Sequence, residues 1–202
     1  MFLLLGSHGQ RLKRKPWEES IRVPGLLRYP AGVKPGRVSD ALLTHVDLAP
    51  TLLGLCGLPV PGDMQGTDLS GVVRGTTERG PDSAFFQIFV AYAGDGTPHP
   101  WRGVRTARFL YARTRSGPWV LYDLEDDPYE AKDLSRDPAR APLRAAMEAK
   151  LADWMRRTGD SWDFDATEPV EDEGRLYRFE AFSTIREYLD WAAKHPELAP
   201  QH

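Results

Sequence analysis

Three short segments in which apolar and polar residues alternate, residues 101–106, 109–115 and 119–123, precede one long helical pattern. Period-two alternation marks strands with one face turned to a core. The aromatic run from Phe85 to Ala93 adds a fourth strand, and Gly94-Asp95-Gly96 turns the chain after it. Ser116-Gly117-Pro118 separates the last two strands as a hairpin. Asp137-Pro138 then opens a helix, a cap followed by proline at the first helical position. Leu143, Met147, Leu151, Trp154 and Met155 fall on one stripe of that helix, and Gly159 ends it. Such a stripe must pack on the sheet. Residues 81–159 therefore read as a small α+β unit: a four-stranded, mostly antiparallel sheet with a packed helix.

The N-terminal part reads differently. Residues 1–20 form a loop with Gly6 and Gly9 at its turns. Residues 21–29 are aliphatic and closed by Pro30, which predicts a strand buried in a sheet with both faces covered. Residues 31–36 make a turn, and 39–46 read as a short strand. Asp47 to Cys56 reads as a helix, with Asp47 as its cap, Pro50 in its first turn and Gly57 as its stop. Residues 61–82 read as a surface connection. The expected organisation is 1–80 as a piece of an α/β domain, 81–159 as the α+β subdomain and 160–202 as a tail. In that tail, 168–174 is acidic and 179–194 has a helical pattern.

Composition narrows the function classes. With 41% apolar and 27% charged residues, the chain has the make-up of an ordinary soluble globular protein. A net charge of −3 gives no pull toward nucleic acid or anionic membrane, and no nucleic-acid module is recognisable. No apolar run approaches the ~20 residues of a membrane-spanning helix. Residues 1–5 are too short for the apolar core of a signal peptide, about 7–15 residues. One cysteine excludes an intramolecular disulfide and leaves the compartment open. A genuine start at Met1 would make it cytoplasmic.

The motifs are more specific. Gly6-Ser7-His8-Gly9, Lys13, Trp17-Glu18-Glu19-Ser20 and Arg22-Val23-Pro24 open the series. Ser39-Asp40, the run Thr44 to Leu53, Gly57-Leu58-Pro59, Gln65-Gly66, Arg102-Gly103-Val104-Arg105-Thr106 and the run Leu121 to Pro128 continue it. In kind and order this series resembles the type I sulfatases of the alkaline phosphatase superfamily, over most of residues 4–158. The resemblance implies the C-terminal portion of an alkaline-phosphatase-like α/β domain followed by a small α+β subdomain. It also implies sulfate monoester hydrolysis in the full-length form, with calcium and formylglycine as cofactors. The sequence departs from the family pattern where those cofactors would be held. Formylglycine arises in a C-x-P-x-R motif, but the lone Cys56 lies in Cys56-Gly57-Leu58-Pro59-Val60, with proline one position late and no arginine. It reads as a small buried side chain. The family's Asp-Asp metal pair and its SDHG run are absent, and Met1-Phe2-Leu3-Leu4 stands where the latter would be. The expectation is therefore a C-terminal part that holds no cofactor and is inactive alone. Two other readings stay open: a phosphonate or phosphate monoester hydrolase on the same framework, and a non-catalytic remnant or assembly module whose basic loop 11–15 meets a polyanion.

Hydrolysis of a sulfate ester needs a nucleophile, a metal, cations on the sulfate oxygens and an acid for the leaving oxygen. By the resemblance, Lys13 contacts the sulfate, where a flexible ammonium suits a tetrahedral anion. His8 stands beside the leaving group, where an imidazole can hydrogen-bond or protonate it. Trp101, Arg102 and Arg105 would border the substrate pocket, the other reading being sheet surface and packing. Glu18 and Glu19 could orient Lys13, but read better as local ion pairs, for example with Arg22. His45 reads as a packed structural histidine. Asp123, Glu125, Asp126 and Asp127 lack the spacing and glycine of an EF-hand and read as a turn. No metal ligand is expected. The expected partner is a small-molecule or carbohydrate sulfate ester, without nucleic acid or a membrane span. Oligomeric state is left open.

Overall fold

The computed structural model of the chain describes residues 4–5, 7–9, 11–89, 100–162, 170–172, 175–177, 190 and 193–194. Strands β1 (Leu4–Leu5) and β2 (Arg11–Leu12) pair antiparallel as a hairpin around the short turn Ser7–Gly9. Helices α1 (Glu18–Ile21), α2 (His45–Leu55) and α3 (Ser70–Arg74) follow. The main sheet then forms from β3 (Ser83–Ile88), β4 (Trp101–Thr106), β5 (Phe109–Thr114) and β6 (Gly117–Asp123), antiparallel throughout in the order β3-β4-β5-β6. A single turn, Pro138–Arg140, leads into α4 (Ala141–Thr158), and a short pair β7 (Val170–Asp172) and β8 (Arg175–Tyr177) comes last.

Alternation along the strands divides the side chains between two cores. Val104, Tyr111 and Leu121 point to one face and meet Leu134, Met147 and Leu151. Phe85, Phe109, Leu143, Trp154 and Met155 pack against that cluster, so the α4 stripe read from the sequence is a core stripe. Trp101, Leu110, Ala112, Val120 and Tyr122 point to the other face. Among the described residues, no helix beyond the short α1 covers them. Leu4 of the hairpin and Trp17 do so, with Ile21 at the edge. Pro118 lies on the edge strand β6, and the register slips between Ala112 and Arg113 beside it. Proline lacks the N–H a ladder needs, and an edge with a bulge tolerates that.

The N-terminal part departs from the sequence reading. Residues 22–29 belong to no ladder, and Glu18–Ile21 is a short helix. Among the described residues no strand offers 22–29 its hydrogen-bonding groups, and an apolar run becomes a strand only with such a neighbour. Residues 39–43 are likewise not a strand. Thr44, not Asp47, caps α2: Asp47 lies three residues in, and its Oδ2 accepts 2.7 Å bonds from both the Thr44 backbone N–H and hydroxyl. Pro50 thus falls a turn deeper than expected. Cys56 is exposed at the C-terminal end of α2, not buried. His45 is exposed as well, at the first residue of the helix. The 61–82 connection contains α3, which buries Val72 beside Leu69, and Gly75 closes it with φ 78°. The strand expected at 85–93 starts earlier, at Ser83, and its residues 90–93 lie outside the described residues, as does the turn 94–96. So does most of the helical pattern expected at 179–194.

Asp47 ties α2 to its neighbour, since its Oδ1 accepts from the Thr67 N–H at 2.7 Å. Thr51 adds a 3.0 Å bond from the Leu69 N–H. Gly66 allows this approach: a Cβ there would lie 1.9 Å from the Val46 carbonyl oxygen, whose usual helical donor is missing because residue 50 is proline. Gly66→Ala is therefore expected to cost about 1–3 kcal/mol in urea unfolding, whereas Gly62→Ala, with open space around it, leaves the midpoint nearly unchanged.

Candidate active site

The segment from His8 to Ile21 is assembled against the sheet face opposite α4. His8 sits at the hairpin tip with φ 55°, in the left-handed region. Its imidazole stacks on the Trp17 indole, ring centroids 5.3 Å apart and planes 18° from parallel. Trp17 is itself fixed. Its Nε1–H donates to the Tyr122 hydroxyl at 3.0 Å, and its ring meets Trp119 edge-on at 5.7 Å. Burial pushes the Tyr122 phenol up to about 12, so it stays a neutral acceptor. Trp101 fastens the middle of the loop, its Nε1–H donating to the Arg14 carbonyl at 2.9 Å.

The first turn of α1 is fastened by charge. Arg105 grips Glu18 with two bonds, Nε to Oε1 at 2.7 Å and Nη2 to Oε2 at 3.1 Å. Arg22 stands 3.7 Å from the same carboxylate. Below, the Glu18 backbone N–H donates to Glu130 Oε2 at 3.0 Å. Glu130 is buried, 3% exposed, and holds a left-handed backbone at φ 54°. Among the described residues its other oxygen, Oε1, is buried without a hydrogen-bond partner. Burial is the main reason its carboxyl is pushed up to about 7, with the negative charges of Glu18, Glu19 and Asp127 adding to it. The Glu18 N–H pulls the other way.

A cleft of about 300 Å³ opens beside these groups, lined by His8, Glu18, Glu19, Arg22, Tyr129 and Glu130, with Pro128 at its edge. It brings His8, Glu18 and Glu19 together. Lys13 lies on the same loop, exposed, and does not line it. Lys15, in the basic run, is by contrast buried. Trp101 and Arg102 lie inside the fold, 2% and 1% exposed. The Arg102 guanidinium pairs with Asp160 and lies between the Phe89 and Trp162 rings, 4.8 and 4.5 Å from their centroids. Arg105 is engaged by Glu18. The acidic run is a turn: Arg108 pairs with Asp123 at 2.7 Å, Glu125 at 2.9 Å and Asp126 at 3.1 Å. The Arg108 guanidinium holds the Asp123 carboxyl below its ordinary range. Asp127 accepts from the N–H groups of Ala131 and Lys132.

Among the described residues, no group of three or more His, Cys, Asp or Glu is placed to hold a metal ion. Cys56 is exposed at a helix end and outside any C-x-P-x-R motif. The described donor set therefore does not fit calcium or formylglycine. Among the described residues, no helix is long and apolar enough to cross a membrane. Tyr122 and Glu130 were not singled out as site residues from the sequence. The only signal was their place at and just beyond the Leu121 to Pro128 run.

Comparison with known proteins gives these residues a context. The model of the family described as N-sulphoglucosamine sulphohydrolase, C-terminal, matches residues 6–157. An ulvan-active sulfatase of Formosa agariphila is 33% identical over 151 residues, 74% of this chain and 30% of that protein. An N-acetylglucosamine-6-O-sulfatase of Bacteroides thetaiotaomicron is 34% identical over 170 residues, 82% of this chain and 30% of that protein. A solved structure of a protein in complex with its substrate, D-glucosamine-2-N,6-O-disulfate, superposes with a TM-score of 0.71 at 28% identity, covering 81% of this chain and 34% of that one. The chain thus spans about a third of the length of the relatives it matches.

The Arg105–Glu18 pair is half sheltered, with side chains 17% and 12% exposed. A double-mutant cycle with Arg105→Met and Glu18→Gln, read by urea unfolding, is expected to give a coupling of about 0.5–3 kcal/mol. A surface pair would give less, and a coupling near zero would remove the clamp assigned to it.

Proposed function

The chain belongs to the N-sulphoglucosamine sulphohydrolase C-terminal family, and from that premise we propose that it serves in the hydrolysis of sulfate monoesters. The observation that carries the reading is that the family match spans both the His8–Lys13 loop and the sheet that holds it. Carbohydrate sulfates are the substrate class proposed. Support comes from two relatives named for ulvan and for N-acetylglucosamine-6-O-sulfate, and from the neighbour bound to a sulfated glucosamine.

In this reading Lys13 places an ammonium against the negatively charged sulfate oxygens, while new charge gathers on the leaving oxygen as its bond to sulfur breaks. His8 gives that oxygen its proton or a hydrogen bond. Trp101 and Arg105 serve from behind, through the Arg14 carbonyl and the Glu18 carboxylate. Arg102 serves further back still, through Asp160. The nucleophile and metal are assigned to no residue of this chain, so the isolated chain is expected not to hydrolyse p-nitrophenyl sulfate. Residues 1–80 are proposed as a piece of a larger α/β unit, and 81–159 as its C-terminal α+β unit. The exposed aliphatic side chains Val23, Leu26, Val38, Val46 and Leu52, all in the first piece, support that division.

A chimaera tests the assignment. Residues 4–159 would replace the matching segment of the Bacteroides thetaiotaomicron N-acetylglucosamine-6-O-sulfatase. The chimaera is expected to hydrolyse sulfate esters, and Lys13→Ala within it to lower kcat/KM by about 100-fold or more. An unchanged value after Lys13→Ala would contradict the reading, and preferential turnover of phenyl phosphonate would move the substrate class.

A further inference from the structure

Glu130 lies 112 residues from Glu18 in sequence yet accepts from its backbone N–H at 3.0 Å. The peptide so held joins Glu18 to Trp17, and Trp17 is the platform on which His8 stacks. The two anchors differ in kind. Tyr122 holds the indole of Trp17 from its far edge. Glu130 holds the main chain immediately after it, where the ring's orientation is set. The turn that carries Glu130 is itself rigid: the Glu130 N–H donates to the Asp127 carbonyl at 3.0 Å, and the Asp127 N–H to the Asp123 carbonyl at 2.7 Å. A β-carbon residue at φ 54° is an uncommon conformation, retained only where the surroundings enforce it. A buried carboxyl with one oxygen lacking a partner is likewise costly. Neither feature serves a core that an apolar residue could fill equally well.

We propose that Glu130 is a positioning residue: its buried carboxyl holds the Trp17–Glu18 peptide and so keeps the Trp17 platform, and His8 on it, beside the cleft. The proposal takes from the preceding reading only that His8 is a working residue. Its physical consequence is a dependence on protonation. Glu18 and Glu19 face the carboxyl from α1, with Arg22 across the cleft. Asp127 faces it from its own turn, Tyr122 from β6 and His8 from the hairpin tip. The folded value, about 7, lies above the ordinary 4.5. The stabilising contribution is then complete below about 4.5 and is lost as pH rises through about 7. Ionised, the carboxylate repels its three acidic neighbours and the segment loosens. Protonated, it keeps an oxygen on the Glu18 N–H.

Amide exchange and NMR on the 202-residue chain test this without any turnover assay. In the wild type, the opening of residues 18–21, corrected for intrinsic exchange chemistry, is expected to rise more than about tenfold between pH 5 and 8. Glu130→Gln keeps an acceptor for the Glu18 N–H and cannot ionise, so its opening should stay flat. Its His8 ring protons, read at pH 6, should keep the shift imposed by the Trp17 stack. Glu130→Ala should move those protons to unstructured values while residues 110–112 of the sheet stay protected. A wild type without the rise, a Gln variant that shares it, or an Ala variant with unchanged His8 shifts would each overturn the proposal. If Glu130→Ala fails to fold, the Gln comparison decides alone. Failure here leaves the sulfate reading intact, because no substrate is involved. Failure of the chimaera leaves this positioning intact.

Discussion

A four-stranded sheet with two apolar faces needs two covers, and among the described residues the long helix α4 supplies one. The other is Trp17, reaching from a loop onto Trp101, Leu110, Ala112, Val120 and Tyr122 with Leu4 beside it. Burying an aromatic side chain of this size contributes about 3 kcal/mol. That is large against the 5–15 kcal/mol typical of a whole domain. The loop is thus bound to the sheet by core packing, and not merely by surface contacts. Its indole N–H finds a phenol inside that core, and this hydrogen bond offsets the desolvation of the polar atom. What the loop bears follows from this one insertion: His8 rests on the ring, and Arg14 is held by Trp101.

Charges around the insertion divide by burial. Arg108 and its three carboxylates lie at a turn, where water screens each pair, and they shape the chain without supporting much of the fold. Arg105 and Glu18 are more sheltered and fix the start of α1. Arg102 and Asp160 are nearly water-free. Removing one member of such a pair would strand a buried charge, which is strongly destabilising. Glu130 is a buried acid whose carboxyl accepts from a backbone N–H, placed where the loop bearing His8 joins α1.

How much of this was legible in the sequence follows from the range of each interaction. The main sheet and α4 were legible because their signals are local. Alternation in 101–123 and the Leu143–Met147–Leu151 stripe depend on neighbours within a few residues. The segment 21–29 was misread because its apolar pattern says nothing about whether another strand stands beside it. One carboxylate before an apolar run looks the same whether it is the cap of α2 or lies three residues in, as Asp47 does. Only Thr44, three residues earlier, decides between them. Cys56 follows an aliphatic run, which reads as buried, but it lies just past the end of α2 and is exposed. In the site, His8 and Lys13 could be named from motif resemblance. Glu18's local partner Arg22 could be read too, but Arg105 and Glu130 could not, because they lie 87 and 112 residues away. Their meeting is a product of the completed sheet.

Trp17 seats the loop on the sheet, and His8 rides on it. The most direct measurement is the set of nuclear Overhauser contacts from the Trp17 indole in the chain in solution. The account predicts contacts from its ring to the Tyr122 and Trp119 rings on one side and to the His8 imidazole on the other. A well-dispersed sheet spectrum in which Trp17 shows none of these contacts would contradict it, for the sheet would then be folded without the loop that is held to complete it.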